Sequence, residues 1–134
     1  MDEIILGLLV AIFYGISTFF AKIVCNENPI FQWVVVNIVG IILCLILLLY
    51  FKDVFVFDKK ILIFAILSAV FVVFGSLLLY YALYKGKASI VVPISSVGPA
   101  ITVVLSIIFL KESLTINQII GIVLIMIGVI MLSI

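Results

Sequence analysis

Residues 61–110 decide the fold of this chain, and they read ILIFAILSAVFVVFGSLLLYYALYKGKASIVVPISSVGPAITVVLSIIFL. The stretch contains two apolar runs, Ile61 to Tyr84 and Ala88 to Leu110. Each is long enough to cross a hydrocarbon core about 30 Å thick at about 1.5 Å per helical residue. Because only Lys85-Gly86-Lys87 separates them, they are predicted to form a tight antiparallel helical hairpin in a membrane.

Three further apolar runs of similar length complete the chain. The predicted spans cover approximately residues 4–24, 30–50, 61–84, 88–110 and 115–134. Of all residues 69% are hydrophobic and 10% are charged, and the mean hydropathy is +1.68. Continuous runs of this length favour helices over a transmembrane barrel, whose strands are shorter and alternate in polarity. We therefore predict an all-α membrane protein whose five transmembrane helices form one domain over residues 1–134.

The composition also excludes several kinds of site. Histidine is absent, and the predicted spans contain no acid pair, serine–histidine pair or cluster of metal ligands, so we expect no enzyme, metal or cofactor. The seven basic residues are scattered lysines, a pattern that does not favour nucleic-acid binding. The first run is longer than the core of a signal peptide and follows Asp2-Glu3, so we expect it to remain as a span.

The lysines give only a weak orientation signal. Four lysines lie on the N-terminal side of the predicted topology and three on the opposite side: Lys52, Lys59, Lys60 and Lys111 against Lys22, Lys85 and Lys87. The positive-inside rule needs a clear bias to fix orientation. Two interpretations stay open: a weak preference for an inside N-terminus, or insertion in both orientations.

Helix-capping residues mark several boundaries. Asn28-Pro29 has the form of an N-cap followed by proline at the first helical position. Asp58 is predicted to cap the third helix, and Thr115 with Gln118 has the form of a capping box. Short connections between well-defined helices follow from these signals.

Small and polar residues fall on stripes along the first four helices. Such stripes either permit close helix packing or line a polar cavity, and packing is the default interpretation. In the fourth helix, however, Pro93 and Pro99 remove amide donors, and irregular backbone at that depth is tolerated where it is buried or lines a water-filled cavity. Proline kinks also occur purely as helix geometry, but we favour a cavity-lining role here. The candidate substrate-binding residues are Tyr14, Thr18, Asn37, Ser76, Ser95, Ser96 and Thr102, and the candidate cavity or hinge residues are Gly15, Pro93, Gly98 and Pro99. Lys22 is expected to extend towards the membrane interface.

Two motifs resemble the EamA-type domain of the drug/metabolite transporter superfamily. They are the run from Ala88 to Pro99 and the sequence Leu110-Lys111-Glu112-Ser113-Leu114-Thr115 that leads into Gln118 to Gly121. The resemblance covers essentially the whole chain, with Lys111 where the family often has glycine. It implies one half of a ten-helix transporter in which two inverted five-helix repeats surround a central cavity and work by alternating access.

The resemblance and the residues together predict a transporter that works as a dimer. The chain also resembles the small multidrug resistance family, but it lacks that family's glutamate within the first helix. We therefore expect an exporter or facilitator of a small neutral or zwitterionic metabolite, in a prokaryotic plasma membrane. The expected partners are the lipid bilayer, the small-molecule substrate, and a second protein chain. This second chain is either another copy, in antiparallel orientation, or a paralogue. A membrane scaffold or accessory subunit and a flippase for lipids or lipid-linked substrates are the alternatives.

Overall fold

Every element in the described part of the chain is helical. A computed structural model describes residues 2–51 and 58–133. Its elements are α1 (Asp2–Cys25), α2 (Pro29–Tyr50), α3 (Lys59–Lys85), α4 (Ala88–Ser95), α5 (Gly98–Leu105), a π-helical turn (Ser106–Leu110) and α6 (Ile116–Ser133). The prediction of an all-α protein is confirmed.

Four stretches are long and apolar enough to cross a membrane. They are Glu3–Cys25, Pro29–Tyr50, Lys59–Lys85 and Ala88–Leu110, and most of their large apolar side chains are exposed. Lipid is the natural solvent for such surfaces, so the chain is a multi-pass integral membrane protein. The apolar part of α6, Ile116–Leu132, is shorter, roughly 26 Å at about 1.5 Å per residue. The fifth crossing therefore stays a prediction.

The predicted helix starts agree with the observed hydrogen bonds. The Phe31 N–H donates to Asn28 Oδ1 at 3.0 Å, with Pro29 as the first residue of α2. The Lys60 N–H donates to Asp58 Oδ1 at 2.8 Å. Before α6, the Thr115 N–H donates to Gln118 Oε1 at 2.8 Å and the Gln118 N–H donates to Thr115 Oγ1 at 3.4 Å. These side chains satisfy amide groups that the first turn of a helix leaves without partners.

Residues 1–85 form one compact unit, in which α1, α2 and α3 contact one another pairwise. Its buried side chains lie near the C-terminal ends of α1 and α3: Ala21, Cys25, Tyr80 and Leu83. Small residues on α1 allow the larger side chains of α3 to approach closely. The three helices are therefore packed most tightly at one end and leave more space towards the other.

Residues 86–134 form the second unit, in which α4 contacts α6. The predicted fourth span is broken between α4 and α5, at Ser96 and Val97. Pro93 is accommodated within α4, whereas Pro99 has no N–H with which to continue the helical pattern to the Ser95 carbonyl. The predicted irregular backbone is thus present, but it lies before Gly98-Pro99 and not at Pro93.

The second half of the fourth span ends in a feature that we did not predict from the sequence. The chain widens into a π-helical turn, Ser106–Leu110, and the Lys111 N–H donates to the Ser106 carbonyl. Lys111 has φ 57° and ψ 32°, in the left-handed region. A residue with a Cβ is disfavoured in that region by about 1–2 kcal/mol. Glycine would fit this backbone without the penalty.

Replacing Lys111 by glycine should stabilise the protein relative to its alanine variant. Lys111→Gly and Lys111→Ala remove the same charge, but only glycine relieves the steric penalty, so we expect a difference of about 1 kcal/mol in the free energy of unfolding. Circular dichroism during a reversible sodium dodecyl sulfate titration in mixed micelles measures it. Equal stabilities would contradict a left-handed Lys111.

Candidate functional site

A cavity of about 400 Å³ lies between the three helices of the residue 1–85 unit. Its volume is in the range of small-molecule binding sites. Three of the predicted substrate-binding residues, Tyr14, Asn37 and Ser76, contribute to its wall. The complete lining consists of Phe13, Tyr14 and Ser17 from α1, Val36 and Asn37 from α2, and Val72, Val73, Ser76 and Tyr80 from α3.

A hydrogen-bonded bridge between α2 and α3 forms one wall of this cavity. The Trp33 indole N–H donates to Ser76 Oγ at 3.2 Å and to the Val73 carbonyl at 3.3 Å. The Ser76 hydroxyl in turn donates to the Val73 carbonyl at 2.8 Å. In a lipid environment such interhelical bonds give polar groups the partners that the solvent does not provide. The bridge fixes where Ser76 stands relative to α2.

Asn37 lies one turn after Trp33 on α2 and is half-buried. Its Nδ2 donates to the Trp33 carbonyl at 2.7 Å. A carbonyl oxygen only accepts hydrogen bonds, so this contact fixes which end of the amide is nitrogen. None of residues 2–51 and 58–133 donates to the opposite atom, Oδ1. Asn37 therefore offers the cavity a hydrogen-bond acceptor.

Aromatic side chains line the cavity on α1 and α3. The rings of Phe13 and Tyr14 are 71% and 72% exposed, so their surfaces are open to a ligand. Tyr80 is buried. Tyr80 thus closes the tightly packed end of the cavity, whereas Phe13 and Tyr14 offer contact area.

Lys22 has a structural contact near this closed end. Its Nζ donates to the Leu83 carbonyl of α3 at 2.6 Å. Carbonyls in the last turn of a helix lack intrahelical partners, and a cation there is favoured by the helix dipole. Lys22, which we expected to extend to the interface, therefore links α1 to the C-terminal end of α3.

Two predicted residues of α1 do not line the cavity. The Thr18 hydroxyl donates to the Tyr14 carbonyl at 2.6 Å, so its own helix satisfies it. A Cβ built at Gly15 would meet no atom within 4 Å. Close packing against the described residues does not account for this glycine.

The predicted hydroxyl residues of the second unit bond to their own helices. Ser95 Oγ and Ser96 Oγ both donate to the Val92 carbonyl, at 2.7 and 3.1 Å. Thr102 Oγ1 donates to the Gly98 carbonyl at 3.3 Å. The Ala100 N–H donates to the Val97 carbonyl at 3.0 Å and not to that of Ser96. Each of these hydroxyls is therefore satisfied by its own helix, next to a helix break that Pro93, Gly98 and Pro99 surround.

The cavities of the second unit are small and apolar. One, of about 190 Å³, is lined by Ser96, Pro99, Ala100, Val103, Ile122 and Ile125. Another, of about 200 Å³, is lined by Val97, Ala100, Ile101, Val104, Leu105 and Met126. Their walls carry little besides hydrocarbon. Within the second unit, the predicted residues Ser95 and Thr102 line neither cavity.

Several residues of the larger cavity were not predicted from the sequence. They are Phe13, Ser17, Val36, Val72, Val73 and Tyr80. Ser17 lies three residues after Tyr14, so helical periodicity places the two residues on the same face of α1 and could have identified Ser17. The sequence does not reveal that the Trp33 indole N–H reaches across to α3, because that contact depends on how the two helices pack.

The sequence matches the EamA-like transporter family over residues 1–134. The chain belongs to this family. Members of the EamA-like family are transporters and not enzymes, so this is a membrane transporter of the drug/metabolite superfamily that handles small-molecule substrates within a lipid bilayer. An uncharacterized protein of Methanocaldococcus jannaschii is 76% identical over 131 residues, which are 98% of this chain and 96% of that protein. No solved structure matches this chain.

The hydrogen-bonded bridge predicts coupled mutational effects. Trp33→Phe removes the indole donor and should lower the free energy of unfolding by about 1 kcal/mol. Because Ser76→Ala removes part of the same bridge, the double variant should lose less than the sum of the two single losses. The sodium dodecyl sulfate titration measures all three, with Ser68→Ala, outside the cavity on α3, as a near-neutral control. Strictly additive losses would contradict the bridge.

Proposed function

We propose that this protein exports or facilitates the passage of a small neutral or zwitterionic metabolite by alternating access. The observation that carries the proposal is the cavity of about 400 Å³ between α1, α2 and α3, with its amide and hydroxyl groups. In a chain surrounded by lipid, uncharged polar groups on an accessible surface mark a place for a polar solute. Tyr14, Asn37 and Ser76 are the proposed substrate contacts of this unit.

The proposed functional unit is an antiparallel pair. Transporters of this superfamily are expected to combine two inverted five-helix repeats, and this chain would supply one of them. A second copy in the opposite orientation would supply the other, and a paralogue would serve equally. The near-even distribution of the lysines, four against three, supports insertion in both orientations. Ser95, Ser96 and Thr102 are proposed to contribute to the pathway at the break in the fourth span.

The cavity lining also bears on how transport is driven. No acidic side chain is among the residues that line the cavity. A carboxylate that alternately binds a proton and a cationic substrate is therefore not part of the proposed mechanism. The substrate's own gradient is sufficient to drive a facilitator. We place the transporter in the plasma membrane of a prokaryotic cell.

Solute counterflow in liposomes tests this function. Liposomes containing the folded protein are loaded with an unlabelled solute, and uptake of the labelled solute is followed for a panel of amino acids and nucleobases. Val36→Phe fills the cavity from α2, whereas Val39→Phe places the same bulk on α2 outside the lining. We expect the first variant to lose at least about tenfold in flux, as a blocked pathway requires, and the second to retain it.

Three results would overturn the proposal. Absence of counterflow for every solute, from protein shown to be folded and dimeric, would leave a scaffold or accessory subunit as the function. Equal flux in the two phenylalanine variants would show that solute does not pass through this cavity. Counterflow of labelled lipid alone would favour the flippase alternative.

A further inference from the structure

The polar groups of the cavity between α1, α2 and α3 are all uncharged. They are the hydroxyls of Tyr14, Ser17, Ser76 and Tyr80 and the amide of Asn37. A zwitterion brings a full positive and a full negative charge, and each needs a partner once water is removed. The described lining provides neither an acid nor a base. Lys22 lies outside the lining and donates to the Leu83 carbonyl.

Asn37 favours a ligand that donates a hydrogen bond over one that only accepts. Its Nδ2 is held by the Trp33 carbonyl at 2.7 Å, and none of residues 2–51 and 58–133 donates to its Oδ1. The amide cannot rotate to exchange its two ends without placing an oxygen against that carbonyl. An unpaired acceptor beside apolar walls selects a ligand that carries an N–H or O–H donor.

The remaining wall favours a flat apolar body. Phe13 and Tyr14 present largely exposed rings, and Val36, Val72 and Val73 provide aliphatic surface. Aromatic rings pair best with other rings in offset or edge-on arrangements. A volume of about 400 Å³ is at the lower end of the range for ligand sites, which suits a one-ring or two-ring molecule.

We propose that the substrate is a neutral aromatic ring compound with one N–H or O–H donor, which donates to Asn37 Oδ1 and packs against Phe13 and Tyr14. This inference rests on the proposed function and narrows it, because it excludes zwitterionic metabolites from this cavity. The ring N–H of indole and the hydroxyl of a simple phenol are donors of the required kind. Loss of the single donor or addition of a charged headgroup should each weaken binding.

Binding of three fluorinated probes to the full chain in lipid nanodiscs tests the inference. The probes are 5-fluoroindole, its N-methyl derivative and 5-fluorotryptophan, which share a ring and differ in the donor or in charge. Fluorine NMR line widths, compared with empty nanodiscs, separate binding to the protein from partition into lipid. We expect 5-fluoroindole to bind about tenfold more tightly than the N-methyl derivative, as loss of one hydrogen bond implies, and 5-fluorotryptophan to bind no better than to empty discs.

Variants on the same helix locate the effect. Asn37→Leu keeps a similar volume and removes the acceptor, so it should weaken 5-fluoroindole about tenfold and change the N-methyl derivative less than about twofold. Cys44→Val, on α2 outside the cavity lining, should change the affinity for neither 5-fluoroindole nor its N-methyl derivative. If Asn37→Leu does not fold, the comparison of the two indoles on the unmodified chain still decides.

The outcomes separate this inference from the proposed function. The inference would be overturned if the two indoles bound equally tightly, or if 5-fluorotryptophan bound as tightly as 5-fluoroindole. It would also be overturned if 5-fluoroindole did not bind more than it does to empty discs. Counterflow of zwitterionic amino acids without counterflow of neutral ring compounds would overturn it and leave the transporter intact. Selective binding of 5-fluoroindole without counterflow of any solute would support the site and overturn transport.

Discussion

The structure depends on one constraint: a chain surrounded by lipid must satisfy its polar groups with its own atoms. Several hydroxyls meet it locally, as Thr18 does by bonding to the Tyr14 carbonyl and Ser95 by bonding to that of Val92. Where α2 faces α3, the same constraint produces the bridge from Trp33 to Ser76. The bridge is at once a packing contact and a wall of the cavity, so stability and the shape of the cavity arise from the same hydrogen bonds.

Asn37 shows how the same constraint leads towards function. One end of its amide is satisfied by its own helix, and the other end faces accessible space with no donor among residues 2–51 and 58–133. A protein that only needed to fold could place an aliphatic residue there at less cost. The unpaired acceptor beside exposed aromatic rings is the feature on which the proposed solute site rests. The small, apolar cavities of the second unit have no comparable group.

The sequence predicted what depends on local chemistry. Apolar run lengths predicted the four membrane-length stretches, and the caps at Asn28, Asp58 and Thr115 follow from residue types that bond to nearby amides. The position of the break at Ser96 could not be predicted from the sequence, because Pro93 and Pro99 each lack an N–H. Which of the two missing N–H groups interrupts the helix depends on the surrounding backbone. The left-handed Lys111 was equally hidden, since no residue preference favours lysine there. Tyr14, Asn37 and Ser76 of the cavity were predicted from the sequence, but Tyr80 was not, because position along a helix does not reveal which neighbour a side chain meets.

The central claim is that the transporter is a pair of oppositely inserted copies, and residue 26 reports on it most directly. Asn26 is exposed in the connection between α1 and α2, and Asn26→Cys, in a chain whose Cys25 and Cys44 are replaced by alanine, leaves every lysine in place. Labelling of intact cells with a membrane-impermeant maleimide, compared with total labelling after solubilisation, gives the fraction of molecules with this connection outside. Paired copies of opposite orientation require this fraction to be about one half; labelling of all molecules or of none would contradict the antiparallel pair.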